Sequence, residues 1–364
     1  MTKPRPVLSN MPWHIKDKIV DGMDLPTRLH FRITRKNHRE LVDRRPVQYE
    51  LIDIHTVFEN EFKMTVKDQF GVHQISYREI ENRNLLQEAA QLLALILQNQ
   101  RTSVKKMCFF DPSIYKKRRE RNVDFHEIDG RTDFLEEFKT IICRFQHRLT
   151  VGMLIMRTRV EQENLICVLQ YLEPGDLKTI GVVLGDDESL HRTVGLNQWR
   201  RAECIRVWNI NDIRQIDISL HNHVELDVMF VSHDALRSAI QKMLLPTTIE
   251  KTLRLVFSRF GNGVRGIIQF GQVIQSFNPI EASNGFFIRM LDVGFLSISF
   301  RIDEDEIKLF MKVQLNPNQW PKNGILGTAE GYEEESDDEE ESDDEEASDE
   351  EENYDEETDD DDER

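Results

Sequence analysis

Strand-like and helix-like segments alternate along residues 47–315, and this alternation most constrains what the chain can fold into. Apolar and polar residues alternate through 48–58, which is typical of a half-buried strand. Residues 84–98 carry a broad apolar face that predicts a buried helix, and 104–110 again resembles a strand. Because strands and helices follow each other in this way, the sequence favours a layered α/β body over a helix bundle.

The same order continues at irregular spacing towards the C-terminal end. The predicted segments are a helix from Thr132, a strand over 149–159, a helix over 163–172, a strand ending at 184, a strand over 224–231, a helix capped by Ser232 and a strand over 252–257. These units look like a degenerate leucine-rich-repeat-like array, in which each unit buries its apolar face by stacking on its neighbours. Residues 285–315 predict two or three edge strands.

Acidic residues are concentrated at the C-terminal end. Residues 330–364 contain 25 acidic residues and one basic residue, Arg364, so this segment carries −24 and the rest of the chain +5, for a total of −19. Such a segment cannot bury apolar surface and is predicted to be disordered. Residues followed by three acidic residues match the preference of acidophilic casein-type kinases: Ser336, Ser342, Ser348 and Thr358. A tail that only solubilises the chain is the other interpretation.

A basic cluster interrupts the pattern of strands and helices in a loop-like stretch. Its members are Lys116, Lys117, Arg118, Arg119 and Arg121. A solvated linker, a nuclear import signal, an intramolecular dock for the acidic tail and a nucleic-acid contact are all compatible with it. The neighbouring aromatic residues are not interleaved with the basic ones, and the polyanionic tail would repel nucleic acid, so nucleic-acid binding is the weakest of these.

The cysteines and the N-terminal residues indicate in which cellular compartment the protein is found. The cysteines lie apart without a CxxC pair, which indicates neither a zinc site nor a disulfide framework and favours reduced, buried thiols: Cys108, Cys143, Cys167 and Cys204. The first ten residues contain no apolar signal core, and no apolar run reaches the length of a membrane span. We therefore expect an intracellular protein, in the cytoplasm, the nucleus or both, without membrane contact.

No pattern for catalysis, metal binding or a cofactor has its required context. Residues 261–266 match GxGxxG, but strand-like residues follow where a dinucleotide site needs a helix. His221 and His223 have no third ligand at suitable spacing. We expect no enzyme activity, no cofactor and no metal. Trp199 and Trp208 are predicted to pack in the core, with surface recognition as the alternative.

Residues 8–46 predict two or three short helices with too few apolar residues for a core of their own. Apolar residues recur at every fourth position before and after Asp24, a candidate N-cap: Ile15, Ile19 and Met23, then Leu25, Leu29 and Ile33. Such a segment needs a partner surface, which is either another protein or its own domain.

The same residues resemble the F-box of the nematode F-box A group. The matching positions are Met11-Pro12, Asp24-Leu25, Thr27-Arg28-Leu29, Phe31-Arg32, Arg35, Arg39 and Leu41-Val42-Asp43. The resemblance implies docking on the small adaptor subunit of a cullin-based (SCF) ubiquitin ligase and hence association with the cullin scaffold. The docking face would comprise Pro12, Ile15, Ile19, Leu25, Leu29 and Ile33, with Arg32 and Arg35 near its rim.

A second stretch resembles the FTH domain that follows the F-box in that group. The similar phrases are Leu172 to Ile180 (LEPGDLKTI), Leu196 to Ala202 (LNQWRRA) and Val231-Ser232 before a helix with Leu236 and Ile240. The resemblance implies a domain that recruits an unknown substrate protein, and hence a non-catalytic adaptor. We accordingly predict an α/β fold with an F-box-like segment over 1–46, a strand/helix region with a basic linker over 47–124, an FTH-like α/β domain over 125–315 and a disordered acidic tail over 316–364.

The acidic tail supports an alternative from another functional class. A chromatin- or histone-binding protein would use the polyanion to bind basic partners, and its N-terminal helices would be only structural.

Overall fold

The structure of the protein is a computed structural model. It describes residues 8, 11–57, 61–78, 85–99, 101–110, 133–185, 189–245, 250–260, 272–277, 279–282, 285–290, 294–302 and 307–315. Three sequence predictions therefore lie outside the described residues: the basic cluster Lys116, Lys117, Arg118, Arg119 and Arg121; the GxGxxG stretch 261–266; and the acidic tail 316–364 with Ser336, Ser342, Ser348 and Thr358.

Three short helices open the chain, as the four-residue apolar spacing predicted: α1 (Trp13–Asp21), α2 (Leu25–Thr34) and α3 (Lys36–Asp43). Asp24 caps α2, because its carboxylate accepts a hydrogen bond of 2.9 Å from the backbone N–H of Thr27. Val20, Leu41 and Val42 form a small apolar cluster of their own, on which Phe31 packs. This cluster holds the three helices against one another.

The described strands belong to one 13-stranded sheet. They are β1 (Val47–Val57), β2 (Glu61–Asp68), β3 (Gly71–Arg78), β4 (Thr102–Phe110), β5 (Thr150–Val160), β6 (Thr179–Leu184), β7 (Cys204–Ile210), β8 (His223–Val231), β9 (Thr252–Phe260), β10 (Ile280–Ala282), β11 (Gly285–Met290), β12 (Gly294–Ile302) and β13 (Ile307–Gln314). The helices between them are α4 (Leu85–Leu97), α5 (Asp133–Ile142), α6 (Gln162–Gln170), α7 (Asn197–Arg201) and α8 (His233–Met243). The predicted α/β class is confirmed.

The centre of the sheet is parallel and follows the order of the chain. Its strand order is β10-β11-β12-β13-β9-β8-β7-β6-β5-β4-β1-β2-β3, and β1 and β4 to β9 pair in parallel. Helices α4 and α5, α5 and α6, and α6 and α7 contact each other in turn, so they form one layer. Each strand and helix therefore stacks on the unit that precedes it, and strands from both predicted regions, 47–124 and 125–315, share one sheet.

Antiparallel strands complete the sheet at both ends. The hairpin β2–β3 extends it beyond β1, and β13 to β10 extend it beyond β9. The prediction of edge strands over 285–315 was wrong, because β11, β12 and β13 each have a neighbour on both sides and the edge at this end is β10 (Ile280–Ala282).

The core lies between the sheet and the helices. One residue from each of the eight strands β1, β4 to β9 and β13 enters it in a row across the sheet, and every member is at most 3% exposed: Ile52, Met107, Leu154, Ile180, Ile205, Val224, Leu253 and Met311. Helix residues such as Leu93, Phe138 and Leu169 cover this row. Because successive side chains of a strand point to opposite faces, the residue after each core member, or before it in the antiparallel strand β13, lies on the other face of the sheet.

Candidate functional site

The sheet face opposite the core carries side chains that are mostly only partly buried, and we call it the open face. Its central row is defined by successive cross-strand pairs from β1 to β13: Asp53, Cys108, Ile155, Gly181, Arg206, Glu225, Arg254 and Phe310. Polar, charged and apolar side chains therefore lie next to one another across this row.

The middle of the open face is apolar and centres on Trp208 of β7. A Cβ atom on Gly181 would lie 3.1 Å and 3.2 Å from two ring carbons of Trp208, and 2.7 Å from Cδ1 of Ile155. The indole ring of Trp208 therefore lies close over the backbone of β6 because residue 181 has no side chain. Trp208 is half-buried, whereas Trp199 is 1% exposed in the core. The prediction of core packing is confirmed for Trp199, whereas Trp208 is only half-buried and its alternative role in surface recognition stays a prediction.

Charged residues continue the open face on the side of β8 and β9. Glu225 stands between two arginines, with 3.6 Å from Oε2 to Nε of Arg206 and 3.4 Å from Oε1 to Nη1 of Arg254. All three side chains are a quarter to a half exposed, so these ion pairs add little stability. The three side chains together carry one net positive charge.

The opposite part of the open face, on β1 and β4, presents an aromatic and polar group. His55 Nε2 lies 2.9 Å from Oδ2 of Asp53, and its ring centroid lies 4.9 Å from that of Phe110. The open face thus runs from this group, across the apolar centre at Trp208, to the arginines of β7 and β9.

The centre of the open face lies in a part of the chain that matches a known protein family. Residues 132–248 match the FTH domain. The match covers about a third of the chain and lies within the predicted 125–315. It includes α5 to α8 and β5 to β8, so Ile155, Gly181 and Trp208 belong to the FTH domain, whereas His55 and Arg254 lie outside it. No curated protein matches the chain.

The two sequence phrases that resemble the FTH family make structural connections between units. The side-chain amide of Gln198 donates a buried hydrogen bond of 2.9 Å to the carbonyl oxygen of Leu172. The backbone N–H of Lys178 donates to the carbonyl oxygen of Gly152 at 2.8 Å, and the Lys178 carbonyl oxygen accepts from Cys204 at 3.0 Å. These phrases therefore join neighbouring units of the FTH domain.

The six residues of the predicted docking face are divided between two surfaces. Leu25 is 1% exposed and belongs to the main core, and Leu29 packs against that core. Pro12, Ile15 and Ile33 are exposed, and Ile19 is half-buried. One apolar face formed by all six is therefore wrong for Leu25 and Leu29, because α2 uses them to pack on its own domain.

Arg32 was predicted near the rim of a docking face, but it is 5% exposed. Its Nε lies 2.7 Å from Oδ1 of Asp43 and its Nη2 lies 3.2 Å from Oδ2 of the same carboxylate. Nη2 also donates to Oε1 of Gln98 at 3.1 Å, directly after α4. Arg32 therefore connects α2, α3 and the body of the domain, whereas Arg35 is exposed.

Trp13 is a candidate binding residue that sequence reasoning missed. It is 57% exposed at the start of α1, and cations lie near its ring on two elements, with the Lys16 ammonium and the Arg44 guanidinium each 4.8 Å from the centroid. An aromatic residue next to Pro12 and ahead of the apolar spacing was the available signal. We use the name N-terminal apolar surface for the exposed apolar side chains of this segment, which are Pro12, Trp13 and Ile15 at the start of α1 and Ile33 near the end of α2.

The two histidines considered as metal ligands have other partners. His221 is buried, and its Nδ1 lies 2.9 Å from the carbonyl oxygen of Ala202. Burial lowers the pKa of His221. His223 Nδ1 lies 2.8 Å from the hydroxyl oxygen of Thr252. Among the residues that the structure describes, no three His, Cys, Asp or Glu side chains are grouped for metal binding.

Within the described part of the chain, every helix is too short or too polar to cross a bilayer.

Proposed function

We propose that the protein is a non-catalytic substrate-recognition adaptor of a cullin-based SCF ubiquitin ligase. The observation that carries this proposal is the FTH domain at 132–248, preceded in the same chain by three helices whose sequence resembles an F-box. In this proposal the N-terminal apolar surface docks on the adaptor subunit, and the FTH domain holds a substrate protein.

The exposed side chains of α1 and α2 support the docking part. Trp13, Ile15 and Ile33 are 57%, 36% and 60% exposed, so each can lose apolar area to water when a partner covers it. Large exposed apolar side chains on helices of a folded body are typical of protein-binding surfaces. Leu25 and Leu29 contribute indirectly, because they hold α2 on the body of the protein.

The open face supports the substrate-binding part. We infer that the stacked strand–helix units form a degenerate leucine-rich-repeat-like array, and extended sheet surfaces of such arrays bind other proteins. An aromatic residue at the centre with charged residues around it is the usual composition of an interface. We assign the anchor role to Trp208 and the orienting role to Arg206, Glu225 and Arg254.

Co-purification of the full-length chain with the SCF adaptor subunit tests the docking part. Ile15→Asp and Ile33→Asp place a charge on the apolar surface and should each abolish binding, because desolvating an unpaired charge costs several kcal/mol. Asn37→Asp is the matched control, since it adds the same charge at an exposed polar position of α3. Leu29→Asp is unsuitable because Leu29 packs on the core.

Retained binding by both isoleucine variants would refute the assigned surface. Failure of the wild-type chain to bind the adaptor subunit would refute the ligase role and favour the acidic-tailed chromatin or histone-binding alternative. Deleting the residues after Gly331 distinguishes the two functions. A ligase adaptor would still bind the SCF adaptor subunit, whereas a histone-binding protein would no longer bind its basic partner.

A further inference from the structure

Two cysteines that are 24 residues apart in sequence meet on the FTH domain. The Sγ atoms of Cys143 and Cys167 lie 3.6 Å apart, and both residues are free thiols. Cys143 directly follows α5 and is exposed, while Cys167 lies within α6 and is half-buried. The sequence predicted separate buried thiols; the structure shows a surface dithiol instead.

Hydrogen bonds on both sides of the two thiols hold α5 and α6 together. The Lys139 ammonium donates to Oδ1 of Asn164 at 3.0 Å, one helical turn before the cysteines. The Tyr171 hydroxyl donates to the carbonyl oxygen of Cys143 at 3.3 Å, one turn after Cys167. Because hydrogen bonds join α5 and α6 on both sides of the two cysteines, the two sulfur atoms are held opposite each other.

We propose that Cys143 and Cys167 form a redox modification site, which a hydroperoxide converts from a dithiol to an intramolecular disulfide. An S–S bond is about 2.05 Å long, so the two sulfur atoms must approach by about 1.5 Å to form it. This inference concerns the FTH domain itself and is independent of the proposed ligase role.

The reaction has two steps. The Cys143 thiolate attacks one oxygen of the hydroperoxide, the O–O bond breaks, and an alcohol leaves after taking a proton; Cys143 becomes a sulfenic acid. The Cys167 sulfur then attacks Sγ of Cys143, the S–O bond breaks, and the hydroxide takes the Cys167 proton and leaves as water. Two thiols lose two electrons in total, and the hydroperoxide is reduced to alcohol and water.

Exposure decides which thiol reacts first. Burial raises the pKa of Cys167 to about 11, and its contact with Cys143 acts in the same direction. Since the thiolate is the nucleophile, Cys167 is a poor first attacker at neutral pH. Cys143 is exposed and meets the oxidant, and Cys167 is the resolving thiol beside it.

Thiol counting on the full-length chain tests the site. The reduced protein is treated with hydrogen peroxide, unfolded and alkylated, and its peptides are mapped by mass spectrometry. We expect the loss of two of the four alkylatable thiols, a peptide pair linked through Cys143 and Cys167, and full recovery with dithiothreitol. Cys143→Ser and Cys167→Ser should each prevent the loss of two thiols and hence the linked pair. The double variant Cys108→Ser with Cys204→Ser is the matched control and should retain it.

Loss of two thiols in either single variant would overturn the proposal, as would a wild-type chain that keeps both thiols or oxidises Cys143 to the sulfinic acid without a link. Phenylarsine oxide provides a second measurement without an oxidant, because trivalent arsenic binds two neighbouring thiols at once. It should protect Cys143 and Cys167 from alkylation in the wild type. In Cys143→Ser it should not protect Cys167, and in Cys167→Ser it should not protect Cys143. Equal protection in wild type and variants contradicts the dithiol geometry.

Discussion

Replacing Leu25 with alanine tests whether α2 is anchored to the body of the protein. Leu25 is 1% exposed and contacts the main core, so its truncation removes buried methyl groups and leaves a cavity beneath the helix. Buried Leu→Ala changes cost about 2–5 kcal/mol, and we expect about 3 kcal/mol here. The loss should appear in the free energy that opens α2 from the domain.

Hydrogen exchange of the α2 backbone amides measures this opening free energy directly. A loss of about 3 kcal/mol corresponds to roughly 100-fold faster exchange, because each 1.4 kcal/mol is about tenfold. Ile33→Ala on the same helix is the control; its side chain is 60% exposed, so its effect should stay within about 0.5 kcal/mol.

Equal exchange rates in the two variants would refute the packing argument. In that case α2 would not be held through Leu25, and the six predicted docking residues could again form one face.

Three further predictions concern single side chains. Arg32→Met should lower the free energy of unfolding by about 1.5–3 kcal/mol, because charge-assisted hydrogen bonds are lost, whereas exposed Arg35→Met should change the urea midpoint little. Gly181→Val should displace the Trp208 ring and so change the near-ultraviolet circular dichroism spectrum. The same substitution in a Trp208→Phe background should not cause this change. Hydrogen bonds from Thr27 lower the pKa of Asp24 below its usual 3.8. The Asp24 carboxylate therefore stabilises α2 above about pH 4, and this stabilisation is lost as the pH falls through the lowered pKa of the folded state. The NMR chemical shifts of α2 should change with pH in this range in the wild type but not in Asp24→Asn.

Elements with strong local patterns were predictable from the sequence. Ser232 was predicted as a helix cap, and its hydroxyl accepts a hydrogen bond of 3.2 Å from the backbone N–H of Ala235. The alternation in 48–58 predicted β1, which runs over Val47–Val57. Caps and side-chain periods depend on residues close in sequence, so they can be recognised without the fold.

Predictions about which surface a residue faces were less successful. The spacing of Leu25, Leu29 and Ile33 is the same, yet only Ile33 remains exposed, because the first two are covered by the sheet domain. Residues 272–275 are helical although the stretch after the glycines looks strand-like. Short apolar stretches fit either structure, and tertiary contacts decide between them.

The sequence by itself determined the α/β class, most element positions, the resemblance to the FTH domain and the separation of charge between the body and the acidic tail, since these follow from local pattern and composition. Only the tertiary structure decided that Trp208 lies on the open face over Gly181. It also decided that Arg32 is buried and that the sulfur atoms of Cys143 and Cys167 meet. The physical reason is that each of these contacts joins residues on different strands and helices, whose distance is set by how the units stack.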